Sequence, residues 1–408
     1  MISDGVTVVL IGTLDTKGVE YAFVRDRLRE QDVKVVLVDV GVLDEPLIVP
    51  DITRQEVAAA VGEDVGRLAA ERDRAAALEV MGRGASEIAR RLHAEGRLDG
   101  IVGMGGTGGS SVAAAAMRAL PLGTPKLLLS AVAPRDIRPY VGATDLTMMY
   151  AVTDIAGINR ISAPILANAA AAIAGMARSG APVLENGMPL VGASMFAITM
   201  PCVGAARKRL EELGYEVVVF HQNGTGGRSM EDLVASGAIT AMLDVTTTEL
   251  ADDLVGGICP AAPGRLETAG GLGIPQVVTL GALDFVCMGA LSAIPERFSG
   301  RTFHRHAPEM VGMRTSSDEC SELGRTIARK LNAAVGPTVL FVPLRGISLY
   351  SKPGEVFHDP VADEALFDAL RENLDRDRVE LCEMDVDIND VSFGLAMANR
   401  LHELCHRT

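Results

Sequence analysis

Five glycines fall within seven residues of the stretch DGIVGMGGTGGSS, Asp99–Ser111: Gly103, Gly105, Gly106, Gly108 and Gly109. A short apolar run, Ile101-Val102, leads into them, and an alanine-rich stretch of helical character, Ser111–Leu120, leads out. Strand, glycine turn and helix start make a phosphate-binding arrangement. Glycines let backbone N–H groups come close to an anion, and the helix end adds unpaired donors and partial positive charge. The bland reading, in which glycines only let a helix pack closely on a strand, suits one glycine better than five.

Three phosphate chemistries compete for this loop. In the pattern G-x-x-x-x-G-K-[ST], Gly103, Gly108 and Ser110 fit, but Gly109 stands where the lysine belongs. In the dinucleotide pattern G-x-G-x-x-G, Gly103, Gly105 and Gly108 fit, with a strand before and a helix after. That reading also wants an acid at the end of the next strand to hold a ribose. The next strand, KLLLSA, ends on Ser130 and Ala131, with Asp136 well beyond. The third reading is a mononucleotide held by several loops at once: Gly12–Gly18, Gly103–Ser110 and Ser130–Pro134. There Thr13 and Thr107 supply hydroxyls, Lys17 a charge, and the backbone of Gly105, Gly106 and Gly108 its N–H groups. Asp15 or Asp154 offers a carboxylate to Mg²⁺, which needs few protein ligands beside phosphate oxygens and water.

The second half carries its own candidates. EVVVFH ends on His221 and runs into a second glycine loop, Gly224, Thr225, Gly226, Gly227 and Arg228, read as substrate-binding. His221 suits general acid–base work. Asp244 and Glu249 flank a threonine run at one strand end and Asp284 sits at the next; on one reading they are catalytic carboxylates in a cation or substrate site, handling protons beside or in place of His221, and on the other they are helix caps. His304 and His306 share a face of an extended segment, but no third metal ligand stands at suitable spacing. Cys202 opens a helix, where a thiol is activated if it is accessible and is otherwise a small core residue. Arg228 and Arg314 are candidates for binding anions. Neither Gly-x-Ser-x-Gly nor His-Glu-x-x-His occurs, which argues against ordinary hydrolase and zincin chemistry.

Apolar β-branched runs alternate with helical stretches along all 408 residues. Strands of that kind belong to parallel sheets covered on both faces. The expectation is an α/β fold of two Rossmann-like subdomains, each a mostly parallel sheet with helices on both faces, spanning residues 1–184 and 185–408 with a cleft between them. The Gly- and Pro-rich stretch Ser179–Pro189 marks the boundary. Helices are expected at Val19–Glu30, Thr53–Gly62 and Arg265–Gly273, among others. A net charge of −15 argues against nucleic acid or anionic membrane as a partner. Six dispersed cysteines without CxxC suggest reduced thiols in the cytoplasm. The opening residues read as a first strand and not as a signal peptide. The small-residue stretch around Ala163–Ala177 reads as a buried helix, too short for a membrane span.

At several places the chain resembles a known family. The motifs are Gly12-Thr13-Leu14-Asp15-Thr16-Lys17-Gly18, the Gly103–Gly109 loop, Tyr140-Val141-Gly142 with Asp145, and Asp154-Ile155-Ala156-Gly157-Ile158-Asn159. Asn168-Ala169-Ala170, Gly224–Arg228 with Met230-Glu231, and Asp244 with Thr246-Thr247-Thr248-Glu249 complete the set. The family is the one that shares the ATP-binding N-terminal domain of the tomato mosaic virus resistance protein. The resemblance covers nearly the whole chain. It implies two Rossmann-like subdomains, ATP with Mg²⁺ in the first, and self-association as a dimer or higher homo-oligomer. Carried over by position, the nucleotide loops are Thr13–Lys17 and Gly105–Gly108, with Ser130 nearby. The sequence departs from the family at Gln222-Asn223, where Ala-Thr is usual, at Phe285-Val286-Cys287, where Met-Val-Asn is usual, and at Ala307, where Asn is usual. These departures bear on the second substrate. The leading expectation is an ATP- and Mg²⁺-dependent enzyme acting on a small molecule. The alternatives are a non-catalytic protein gated by ATP and, more weakly, an NAD(P)-dependent oxidoreductase.

Overall fold

The apolar runs become strands, and the first unit assembles from them in order. It comprises β1 (Thr7–Gly12), α1 (Leu14–Arg29), β2 (Lys34–Asp39), α2 (Arg54–Ala59), α3 (Val65–Glu71), α4 (Arg74–Ala94), β3 (Gly100–Gly105), α5 (Thr107–Arg118), β4 (Lys126–Ser130), α6 (Arg138–Val141), β5 (Thr147–Tyr150) and α7 (Ser162–Ser179). The computed structural model describes residues 5–180 and 187–406. The chain divides into two compact units, residues 1–184 and 185–408. The expected boundary between 184 and 185 lies in residues 181–186, outside the described residues.

In the first unit all strand pairs are parallel, in the order β2-β1-β3-β4-β5. Every residue of β3 and β4 is buried, as continuous apolar strands require. One face packs on α4 and α5 through Met81, Ile88, Val112 and Met117. The other packs on α1 and α7 through Val24, Leu28, Leu166 and Ile173. Chain order reverses at β1, so the crevice beyond the carboxyl ends of β1 and β3 is the switch point where doubly wound sheets bind ligands. Both nucleotide loops expected from the sequence begin there, after Gly12 and after Gly105.

The second unit contains β6 (Leu190–Met195), α8 (Met200–Glu212), β7 (Glu216–His221), α9 (Thr225–Ala235), β8 (Ala241–Thr246), α10 (Glu249–Val255), α11 (Thr268–Gly271), β9 (Gln276–Gly281), β10 (Phe285–Met288), β11 (Phe303–Ala307), β12 (Met310–Arg314), α12 (Ser317–Asn332), β13 (Thr338–Pro343), α13 (Pro360–Asn373), β14 (Val379–Met384) and α14 (Val391–Cys405). Its main sheet is again all parallel, in the order β14-β13-β9-β8-β6-β7. Its switch point lies between β6 and β8. The second glycine loop follows β7, the edge strand, and so lies beside that crevice.

Several expectations need adjusting. Helix α1 starts at Leu14 and not at Val19, so Asp15 and Lys17 stand on its first turn. Helix α5 starts at Thr107, inside the glycine run. The single helix expected over 53–62 ends at α2, and α3 follows after Gly62, which has a φ of 75°. The helix expected over Arg265–Gly273 shrinks to the single turn α11. An antiparallel sheet, β10-β12-β11, was not expected. Residues on opposite faces of its strands separate cleanly: Val286, Met288, Val311 and Met313 join the core shared with α12 and α13, while Phe285 and Cys287 join a smaller aromatic cluster with Phe196 and Phe357. No helix among the described residues is long and apolar enough to cross a membrane.

Candidate functional site

In the first unit the glycines divide by role. A Cβ on Gly103 would stand 2.4 Å from the Cβ of Ala113, and one on Gly105 would stand 3.0 Å from the Cα of Gly109. These two let α5 lie close on β3. Gly106 is different: a Cβ there meets nothing within 4 Å. It is the N-cap of α5, its backbone is extended (φ −81°, ψ −155°), and among the described residues no side chain accepts from the first-turn N–H groups of the helix. The first N–H groups of a helix have no partner within it. This end therefore presents donors and partial positive charge with no side-chain anion to meet them. Thr107 is exposed beside it and Gly108 is buried against Leu78.

Of the remaining residues expected around this end, Ser130 is built into the wall, while Thr13 and Lys17 are half-buried. Ser130 is fully buried; its hydroxyl lies 2.7 Å from that of Ser110 and accepts from the Val132 N–H. It ties β4 to α5. Thr13 precedes α1 and pairs its hydroxyl with that of Thr16 at 3.0 Å. Lys17 breaks the helical geometry of the first turn (φ −128°, ψ 20°), and its Nζ donates to the carbonyl of Ile155 at 2.5 Å. Asp154 accepts from the Ile155 N–H at 2.8 Å. Glu20 accepts from the Gly157 N–H, so the 154–157 loop is fastened to α1 at two points. No hydrogen bond or ion pair among the described residues joins Asp154 to Asp15.

Asp15 instead turns toward the loop after β2. Its Oδ2 accepts from the Leu43 N–H at 3.0 Å, while its buried Oδ1 has no partner. Asp39, at the end of β2, was missed by sequence reasoning. Its Oδ1 accepts from the N–H groups of Leu14 (3.1 Å) and Gly41 (2.9 Å), and its Oδ2 also lacks a partner. Burial pushes the Asp39 carboxyl above its ordinary range, and the charge of Asp15 adds to the effect. Tyr21 was also missed. Its hydroxyl donates toward the carbonyls of Ile11 and Met104 and accepts from the Met104 N–H, bracing β1 against β3.

In the second unit Arg265, fully buried, holds two of the three carboxylates read as catalytic, Asp244 and Glu249. It meets Asp244 through two bonds (2.5 and 2.8 Å) and Glu249 through Nε (3.0 Å), with Glu231 at 3.5 Å. Ser194 donates to Asp244 as well. The other oxygen of Glu249 accepts from the N–H groups of Gly224 (2.7 Å) and Gly227 (3.2 Å). A Cβ on Gly227 would fall 1.9 Å from that carboxylate, and one on Gly226 would fall 1.7 Å from the carbonyl of His221. The second glycine loop is thus already filled by an anion of the protein itself. Asn223 accepts from the Thr225 hydroxyl and the Gly226 N–H. Gln222 is buried with its Oε1 unpartnered. Arg228 is exposed, 3.9 Å from Asp232. Asp284 is fully buried: Oδ2 accepts from Ser348 at 2.6 Å and Oδ1 has no partner. Burial raises its pKa against the opposing charge of Arg314, whose guanidinium is bonded to Asp363.

His221, by contrast, is exposed and lies over Phe196, with centroids 5.3 Å apart. His306 stacks on the same ring at 5.7 Å, and its Nδ1 lies 3.4 Å from the hydroxyl of Tyr350. His304 packs on Tyr350 at 4.5 Å. The register of β11 against β12 slips between Arg305 and Ala307, leaving His306 as the extra residue of a bulge. Bulges re-aim side chains and recur beside active sites. Burial, then the charges of His304 and His221, hold the His306 imidazole below its ordinary pKa. Phe285 lies beneath: a Cβ on Gly312 would strike its ring at 2.0 Å. Phe285 and Cys287, expected from the sequence to bear on the second substrate, lie within β10, and Ala307 lies on β11. Cys202 is core: it is fully buried, and burial pushes its thiol up to about 12.

Comparison with known proteins covers nearly all of the chain. The family model described as "Uncharacterised protein family (UPF0261) N-terminal domain" matches residues 6–182, and its C-terminal counterpart matches residues 188–405. A UPF0261 protein of Clostridium tetani is 46% identical over 394 residues, 97% of this chain and 98% of its own length. The tomato (Solanum lycopersicum) ToMV susceptible protein tm-1(GCR26) is 36% identical over 425 residues; the match takes in 98% of this chain and 56% of the tomato protein. The tomato ToMV resistance protein Tm-1(GCR237) is 38% identical over 339 residues, 81% of this chain and 45% of that protein.

Proposed function

The chain belongs to the UPF0261 family, and on that premise we propose that its N-terminal unit binds ATP with Mg²⁺ and that the whole is an ATP-dependent enzyme acting on a small molecule. The observation that carries the reading is the contrast between the two glycine loops. At α9 the donors are met by Glu249. At α5 Gly106 opens onto free space, no side chain among the described residues meets the first-turn donors, and the place is the switch point of the sheet. A phosphate group meets the first-turn N–H groups of α5, with Thr13 and Thr107 beside it and Lys17 keeping two of its three donors after bonding Ile155. The unpartnered Oδ1 of Asp15 fits a role in holding Mg²⁺. The cation supplies neutralisation of phosphate charge. A mononucleotide suits the wall better than a dinucleotide, because β4 ends on a buried serine and offers no acid to a ribose.

In the second unit the groups suited to proton transfer are the histidines. Asp244 and Glu249 are spent on Arg265, whereas His221 is exposed and neighbours His306, which burial keeps toward its neutral form. We assign small-molecule contact to this histidine face and the proton-handling role to His221. The loss of Asp244 and Glu249 from the chemistry favours one second reading, a non-catalytic protein in which ATP is a regulatory ligand. Prolonged incubation with ATP and Mg²⁺, with ADP and phosphate quantified, separates the two. The enzyme turns ATP over slowly, faster with its metabolite, while the regulatory protein binds ATP and leaves it intact. Absence of any ATP binding removes both.

A further inference from the structure

The ring cluster of Phe196 and Phe285 also takes in Cys287, with Cys259 packed against it, and these thiols meet a buried carboxylate. One carboxylate oxygen of Asp252 and the Sγ atoms of Cys259 and Cys287 all lie within 4.8 Å of one another. We propose that Asp252, Cys259 and Cys287 form a thiolate-rich site for a divalent transition metal of the zinc class.

The chain is built around this carboxylate. Asp252 is fully buried on α10, and no ion pair reaches it among the described residues. The turn after α10 wraps it: Gly256 and Gly257 both donate to its carbonyl, and Ile258 donates to the carbonyl of Cys287 at 2.8 Å, laying the segment along β10. The Cys259 N–H bonds Oδ1 at 3.0 Å and the Cys287 N–H bonds Oδ2 at 3.1 Å. Gly256 has a φ of 89°, and a Cβ on Gly257 would fall 2.1 Å from Oδ1. Only glycine fits that approach. Each carboxylate oxygen accepts one N–H bond, and the Cys287 thiol also bonds the carboxylate; loss of that thiol proton on binding frees the lone pair for a cation.

The donor set selects the ion. Two sulfurs and one oxygen suit zinc, which binds thiolate at about 2.3 Å and carboxylate at about 2.0–2.2 Å in tetrahedral geometry. That geometry sets ligand atoms roughly 3.3–3.8 Å apart, so donors already within 4.8 Å need move little. Binding displaces the two thiol protons to solvent, and the ion neutralises part of the resulting charge. The fourth position is left to water or a solute. Calcium and magnesium are poorly served, since both want oxygen ligands.

The test uses the full-length chain, reduced and stripped with chelator, titrated with Co²⁺ as the probe and then with Zn²⁺. The expected result is one Co²⁺ per chain with a thiolate-to-metal charge-transfer band, displaced by one equivalent of Zn²⁺. Cys259→Ser and Cys287→Ser lose the band or bind at least about tenfold to a hundredfold more weakly, as even outer-shell changes do. Should a variant fail to fold, the wild type alone decides: the band must form with Co²⁺ and vanish with Zn²⁺, and Zn²⁺ must slow alkylation of the half-buried Cys259, and not of Cys382 or Cys405, as mapped by mass spectrometry. No charge-transfer band in the reduced wild type overturns the proposal. So does protection at other cysteines, or recovery of Cys259 and Cys287 as a disulfide that forms while the reduced pair binds no metal.

Discussion

Replacing Gly106 by aspartate separates nucleotide binding from folding more sharply than any other single change. The backbone there is extended, and a Cβ meets nothing within 4 Å, so the side chain enters without strain or collision. Aspartate is among the best N-cap residues, gaining a few tenths of a kcal/mol over glycine, and its charge at the start of α5 adds about 0.3–1 kcal/mol. The variant without ligand is therefore expected to be as stable as the wild type or slightly more so. The same carboxylate takes the seat proposed for phosphate, as Glu249 takes the donors at the start of α9. With nucleotide at a hundred times its Kd, the wild type gains about 2.7 kcal/mol. For a unit of this size that raises the unfolding temperature by about 5–10 °C. Thermal unfolding with ATP, ADP, NAD⁺ and NADP⁺, each with and without Mg²⁺, reads both effects. The expected pattern is a shift with ATP and Mg²⁺ in the wild type and none in Gly106→Asp. An ATP shift that survives in the variant refutes the loop assignment, and a variant much less stable without ligand refutes the open-cap geometry.

Two further changes probe the second unit. Arg265→Met removes the one cation shared by Asp244, Glu249 and Glu231 and leaves buried charge unpaired; the expected loss is about 3–5 kcal/mol in urea unfolding, and a loss below about 1 kcal/mol contradicts the network. The His306 imidazole is held below its ordinary 6.5 in the folded chain. As pH falls the unfolded state takes up that proton first, so stability present above about 6.5 declines below it. His306→Asn is expected to flatten this part of the profile; an unchanged slope means that other groups carry it.

The parallel sheets were legible because strands covered on both faces must be apolar throughout, and Thr7–Ile11 and Thr338–Pro343 say so without help from the rest of the chain. The Gly103–Gly109 loop was legible for the same local reason. What the sequence could not separate was glycine for packing, as at Gly103, from glycine for access, as at Gly106; that depends on what lies within a few ångströms in the fold. Asp244 and Glu249 read as reactive because an acid at a strand end looks the same whether it faces substrate or a buried arginine. Their partner, Arg265, sat in a stretch that read as a helix, and nothing local tied it to residues 16–34 positions away. The sheet β10-β12-β11 escaped because its strands are only 4–5 residues long and mix histidine, arginine and glycine with apolar residues. That sheet brings His304 and His306 to the ring cluster near His221, an association spanning some eighty residues of chain.

Titration calorimetry of the full-length chain with ATP in the presence of Mg²⁺, run beside NAD⁺, tests the central claim most directly. The account predicts saturable binding of one ATP per chain and no heat from NAD⁺. Saturable binding of NAD⁺ alone, or no ATP binding by a chain shown to carry no nucleotide as purified, contradicts it.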